Sequence, residues 1–559
     1  MKRLIIAAAI VLSAVVSPAQ QSLSESIEVR VVNVDVVVRD RAGKPVTGLT
    51  KADFELYENG QKREITNLYE VHAAPTHAAP SANKAAIAAE PVPAPAEAPV
   101  EIRPRNIVMF VDNFSLEPFR RDKVLRSLLK FVDEQLRPQD HVMLVLCTQK
   151  VTVITPFTND RKALRDGVES IRKLGGASNL AAGLDHLKQI VNEYISVAKE
   201  GRLSWKDAYD QSTSAVASHV EEVIFSSRNT LAALGQISAT MAGLEGKNVI
   251  IFAGAHLPER PGAELYQWLY TAFSPYMSNL TFNSESLSGK TGSMQHYSIE
   301  EAAKQASANN VTLYIIDAAD TRDTQSAEIT SPIDHTEQFV TFTNTATAYQ
   351  TLARISGGLA LTNSENFDSA FQTLATDLNS YYSLGFKPSS NTAGTSRQIV
   401  VKMKNPEYRF RARETYVARA PSSEDEMSSR VIANLYNADP RSTWPVDLRA
   451  GTPEKEGNQY RVPFELSFTP TITLLPQESD LVGSFTVYIV VGSDGRTSKL
   501  IKSPHPVKVP IAAEDDFRTK PMTYKAVIMM TPGENTLSVG ILDQNSNNSG
   551  FAHVKVVVP

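Results

Sequence analysis

The residues able to do chemistry in this chain are scattered, and their spacing argues against the common catalytic arrangements. No G-x-S-x-G nucleophile elbow, no H-E-x-x-H zinc motif and no G-x-x-x-x-G-K-[ST] phosphate loop occurs in the sequence. Gly246-Lys247-Asn248 lacks both the upstream spacing and the hydroxyl that a phosphate loop needs. The ten histidines fall without ligand spacing, and His141, His186 and His256 read as surface or loop residues. Asp543 to Gly550 (DQNSNNSG) has the oxygen-rich look of a calcium loop, but its glycine is misplaced and most acidic ligands are missing, so it reads as a solvated hairpin turn. The single cysteine, Cys147, cannot close an intramolecular disulfide or build a cysteine zinc site, and its apolar neighbours mark it as buried packing. What remains is a pair of carboxylates, Asp112 and Asp317, each closing a short apolar run. Such a carboxylate either faces a ligand at the end of a strand or caps the helix or loop that follows.

Asp112 ends Asn106 to Asp112 (NIVMFVD), a continuous apolar run of the kind found in a strand covered on both faces. Helical spacing follows over 119–136, with Val124, Leu125, Leu128, Leu129 and Val132 on one face. Strands are predicted at His141 to Cys147, Val151 to Ile154, Lys247 to Phe252 and Val311 to Asp317, and helices over 161–174 and 180–198. This alternation implies a doubly wound, mainly parallel sheet with helices on both faces, with ligand positions beyond the strand carboxyl ends. Two insertions interrupt it. Residues 201–240 carry Trp205 and an amphipathic helix; residues 272–292 are rich in Ser, Asn and Gly and read as a loop. Both are candidates to cover the functional edge, or plain surface excursions.

On either side lies β structure. Ile27 to Asp40 (IEVRVVNVDVVVRD) reads as a strand, and Asn59-Gly60 suits the positive φ angles of a type I′ turn, so residues 20–71 form a small β module. Residues 72–101, dominated by alanine and proline, read as an exposed linker before the α/β domain at 102–380. Strands return over 381–420 and are expected to pack with 20–71, because each piece alone has too few strands to bury a core. In 421–559 short strands recur with turns between them and without helices, the pattern of a β-sandwich.

Composition narrows the classes. With 559 residues, 42% of them hydrophobic and 21% charged, the chain has material for several cores. A net charge of −5 offers no basic surplus for a phosphate backbone, which excludes nucleic acid as the expected partner. Lys2 and Arg3 precede the apolar run Leu4 to Val16 and Ser17-Pro18-Ala19, the layout of a signal peptide cleaved near Ala19. No later stretch is long and apolar enough to span a bilayer, so the mature chain is expected to be exported, periplasmic or secreted, without an integral membrane segment. It would rely on packing rather than disulfides.

The ordered matches Lys44-Pro45-Val46-Thr47-Gly48-Leu49, Asp53 to Gly60 (DFELYENG), Leu352 to Gly358 (LARISGG), Asp377 to Phe386 (DLNSYYSLGF) and Arg411-Ala412-Arg413 carry a resemblance. Together with the export signal and the α/β region, they make the chain similar to exported bacterial proteins with a von Willebrand factor type A-related domain, common in acidobacteria. The resemblance spans roughly residues 25–418 and implies a Rossmann-like type A fold. It also implies a divalent cation held by a D-x-S-x-S loop, a threonine and a distant aspartate. Here the first loop is Asp112-Asn113-Phe114-Ser115-Leu116, the second offers Ser178, and the third, Phe252-Ala253-Gly254-Ala255, has no carboxylate. No metal and no other cofactor is therefore expected. The alternative is an atypical Mg²⁺ or Ca²⁺ site using Asp112, Ser115 and Ser178.

These features point to a non-enzymatic interaction or adhesion protein that meets a protein partner in the envelope or outside the cell. A metal-dependent adhesin is the second reading, and a hydrolase hidden in the insertions the third.

Overall fold

The computed structural model describes residues 31–72, 104–148, 150–174, 179–244, 246–277, 298–319, 335–362, 366–389, 396–417, 423–436, 445–469, 472–477, 480–493, 496–546 and 548–559. The leader at 1–19, the linker at 72–101 apart from His72, Ser178 and most of the loop at 272–292 lie outside them.

The first unit joins two distant stretches of chain. From the N-terminal side come β1 (Val32–Arg39), β2 (Phe54–Glu58), β3 (Gln61–Arg63) and β4 (Ile65–His72). Asn59 and Gly60 both take positive φ between β2 and β3, the backbone a type I′ turn needs. Their partners are four later strands, β11 (Ser380–Phe386), β12 (Ser396–Met403), β13 (Arg409–Ala412) and β14 (Thr415–Val417). One sheet runs β13-β1-β11-β4 and the other β14-β12-β2-β3. Val34, Val36, Val38, Leu56, Leu384, Phe386 and Ile399 share the core between them. Strict alternation along β12, with Arg397, Ile399 and Val401 buried between exposed neighbours, is what a two-faced strand requires. Glu58 is buried here. Burial raises its pKa, but hydrogen bonds from Tyr416, Arg397 and Ser389 outweigh it and hold the carboxyl at about 2.

Between these stretches runs a six-stranded sheet ordered β10 (Ala360–Leu361), β9 (Val311–Asp317), β8 (Lys247–Gly254), β5 (Arg105–Asp112), β6 (His141–Cys147), β7 (Val151–Thr158). All neighbours are parallel except β6 and β7. Only residues 148–150 separate that pair, too few for the crossover that parallel pairing demands. Ile107, Met109 and Val111 of β5 pack on α1 (Pro118–Glu134), α2 (Arg161–Lys173) and α8 (Phe367–Asn379). Val108 and Phe110 pack on the other face, against α4 (Trp205–Met241), α6 (298–308) and α7 (His335–Ser356). α3 (Asn179–Lys199) and α5 (Ala263–Phe273) complete the helices of this unit. Arg39 of β1 and Arg411 of β13 both bind the buried Asp377 of α8, and so fasten the β unit to the sheet's helices.

The C-terminal region folds as two sheets around one core. The first contains β15 (Val446–Ala450), β16 (Glu454–Glu456), β17 (Gln459–Phe468) and β22 (Met522–Met530). The second contains β18 (Leu475–Gln477), β19 (Asp480–Ser493), β20 (Arg496–Thr497), β21 (Ile501–Pro510), β23 (Gly533–Asp543) and β24 (Ser549–Val558). Residues Val462, Leu466, Val487, Ile489, Val539 and Ile541 meet between them. The expectation of no helix here is corrected by α9 (Ser423–Ala433) and α10 (Glu514–Thr519). The reason for α9 is helical spacing: Met427 and Val431, with Leu435 in the turn that follows, cover Tyr488, Val490, Leu542 and Phe551 on the outer face of the second sheet. The turn after α9 docks on the α/β unit, where the Phe157 N–H donates to the Tyr436 carbonyl at 2.8 Å.

Candidate functional site

Asp112 ends β5 at the centre of the carboxyl edge and is 2% exposed. Three donors converge on its carboxylate. The Phe114 N–H reaches Oδ1 at 3.2 Å, Ser115 Oγ reaches Oδ2 at 2.9 Å and Thr230 Oγ1 reaches Oδ2 at 3.2 Å. Ser115 Oγ accepts in turn from the Ala255 N–H at 2.9 Å, so this one hydroxyl ties the ends of β5 and β8 together. Gly254 makes that approach feasible, since a Cβ there would sit 2.5 Å from the Phe252 ring and 3.1 Å from Asp112 Cβ. Burial pushes the Asp112 carboxyl up to about 6 against the pull of these hydrogen bonds.

Neighbouring groups are closed off as well. Asp317 Oδ1 accepts from the Ala319 N–H at 3.1 Å, a local loop contact. Arg120 of α1 clamps the same loop through the carbonyls of Ala318 and Ala319. Cys147 is buried, and burial drives its thiol far above the usual thiol range. His256 follows β8 in a loop, and burial lowers its pKa.

Thr230 is the residue that sequence reasoning missed. It belongs to α4, whose 37 residues make about 55 Å of helix. An eight-residue strand such as β8 covers only about 26 Å. The C-terminal half of α4 lies on the sheet through Leu231, Leu234, Ile237 and Met241. Its N-terminal half therefore projects beyond the carboxyl edge, where Ala208, Val216 and Val220 pack with Leu187, Val191 and Ile195 of α3 and Leu265, Leu269 and Phe273 of α5. The Ser204 N-cap starts the helix, and Trp205 stacks on Tyr276 at 4.2 Å. The 201–240 insertion is thus a helical cap rooted in the edge, and Thr230 sits where root and cap meet.

Of the residues nominated as metal ligands, Asp112 and Ser115 are brought together, while Ser178 lies outside the described residues. The set present fits a hard divalent cation poorly. It has one carboxylate, whose Oδ2 already faces two hydroxyl donors, and the β8 loop contributes an N–H rather than an oxygen. Leu116 is fully buried in the core behind α1. Among the described residues no group of three or more His, Cys, Asp or Glu side chains could hold a metal ion.

Residues 108–201 match the family described as von Willebrand factor type A domain, so the chain carries a type A-like domain. The matched stretch runs from β5 through α3 and stops short of α4. No curated protein matches the chain. Among solved structures it is similar to the conserved hypothetical protein BatB from Bacteroides thetaiotaomicron, at 12% identity over 49% of this chain and 97% of that one, with a TM-score of 0.21. It is also similar to an aerotolerance-related membrane protein from Bacteroides fragilis NCTC 9343 bearing multiple mutations to serine. There the identity is 11% over 50% of this chain and 98% of that one, with a TM-score of 0.23. No helix among the described residues is long and apolar enough to cross a membrane.

Proposed function

We propose that this is an exported, non-enzymatic interaction protein, periplasmic or secreted, in which a doubly wound type A-like core carries a helical cap and a terminal β-sandwich. The cap and the edge beneath it engage a protein partner without a divalent cation. The observation that carries this reading is the convergence of Phe114, Ser115 and Thr230 on Asp112. A cation there would have to displace two hydroxyl protons and the anchor of α4, and would recover a single carboxylate in return.

The test is thermal denaturation and calorimetric titration with Mg²⁺, Ca²⁺ and Mn²⁺. Wild type and Asp112→Asn are each expected to show no saturable heat and no cation-dependent rise in Tm. A saturable rise in wild type that Asp112→Asn abolishes would establish the metal-dependent alternative instead.

A further inference from the structure

The two sheets of the C-terminal unit end on strands that treat their outer edges differently. Among the described residues β21 pairs only with β19, and β22 pairs only with β17. In the second sheet, the Ser484 carbonyl accepts from the Gln544 N–H at 3.1 Å, on the β23 side. The even-numbered residues of β19 thus turn away from β21. Their partners Lys502, Pro504, Pro506, Lys508 and Pro510 turn their main-chain groups to the free edge. Three of these five lack an N–H and the other two are lysines, which is how an edge strand is guarded against pairing.

β22 has no such guard. The Pro463 carbonyl accepts from the Gly451 N–H at 2.7 Å, on the β15 and β16 side, so the Pro463–Val527 pair exchanges no hydrogen bonds. Val527, and with it Thr523, Lys525 and Met529, therefore directs its N–H and C=O outward. None of the four is proline, and none of their N–H groups has a partner among the described residues. Val527 and Met529 are 47% and 41% exposed. The one charge in the row, Lys525, already pairs with Glu465 at 3.0 Å.

We propose that β22 is the pairing edge of a two-fold symmetric dimer, its occupant the β22 strand of a second copy of this chain. An antiparallel pairing centred on Val527 sets that valine opposite its own counterpart and each Met529 opposite a Lys525. No two lysines face each other, and Lys525, Val527 and Met529 each meet a residue of the partner strand with which to exchange main-chain hydrogen bonds. A foreign acidic strand would find no uncompensated cation in this row, whereas its apolar residues are matched by their own copies. Because the pairing is isologous, each β22 edge is used up by its counterpart, and assembly through it closes at two.

The test is sedimentation equilibrium of the full chain over a concentration series, with wild type expected to show a monomer–dimer equilibrium. Val527→Pro removes an outward N–H while leaving the ladder to β17 intact, and Val527→Lys sets two lysines face to face; both are expected to stay monomeric. Mixing Val527→Lys with Val527→Glu is expected to restore the dimer through an opposite-charge pair. That mixture decides the matter even if the proline variant fails to fold. A wild type that stays monomeric throughout, including one that captures only foreign strands, overturns the proposal. So does a dimer that Val527→Lys leaves intact.

Discussion

At the scale of single residues, Asp112 decides how the carboxyl edge behaves. Its carboxyl is raised from an ordinary value near 3.8 to about 6, so between those values the folded chain holds a proton that the unfolded chain has released. Stability from this group therefore falls as pH rises through that window and is level above it. Asp112→Asn removes the titration while keeping an oxygen for Ser115 and Thr230. Its stability relative to wild type is expected to improve by roughly 2–3 kcal/mol between pH 4 and pH 7. Urea denaturation of both proteins at several pH values measures this, and a pH-independent difference would refute it. The partner residues differ in how far a sequence can reveal them. Ser115 lies three positions away and is legible as a neighbour of Asp112. Thr230 is 118 positions away in the middle of a helix, with nothing local to distinguish it from any other helical threonine.

Elements were legible wherever burial repeats at the period of one regular structure. The apolar run ending at Asp112 is buried throughout as β5, and Val124, Leu125, Leu128 and Val132 form the buried face of α1. α9 shows the converse. Met427 and Val431, with Leu435 just beyond the helix, do repeat at helical spacing, but the recurrence of short strands with turns through the rest of 421–559 points to β structure alone. Its placement rests on a close approach. A Cβ on Gly243, at the end of α4, would lie 2.5 Å from the Arg430 nitrogen and 2.7 Å from its Cα, both backbone atoms that cannot rotate away. Gly243→Ala is accordingly expected to cost about 1–3 kcal/mol by forcing α9 off its seat. Chemical denaturation gives the value, and a midpoint equal to wild type would mean that α9 slides without penalty.

At the scale of the whole molecule, the chain closes on itself twice. β11 lies between β1 and β4, and β12 pairs with β2, so residues more than three hundred positions apart complete the first β unit. A chain beginning at residue 104 would strip β11 of both neighbours and uncover Tyr382, Leu384, Phe386, Ile399 and Val401. Such a truncation is expected to bind a hydrophobic dye and to unfold at lower denaturant than the full chain, since exposed apolar edges and faces have no other cover. Equal midpoints and no dye binding would show that residues 31–72 are dispensable. α9 makes the second closure, seating the C-terminal unit against α4 and β7.

By itself, the sequence determined the local alphabet of this protein: which runs alternate, which are apolar throughout, where Asn59-Gly60 must turn, and that Asp112 ends a strand with Ser115 close by. Those properties depend on side-chain periodicity and backbone φ over a few residues, and they survive without knowledge of neighbours. Tertiary structure alone decided that β11 and β12 pair with strands more than three hundred residues earlier, that α4 overshoots the sheet and brings Thr230 to Asp112, and that β21 and β22 are edge strands, the first guarded and the second open. Each of these depends on which distant groups meet and which main-chain groups are left unpaired, and no local pattern in the chain encodes that.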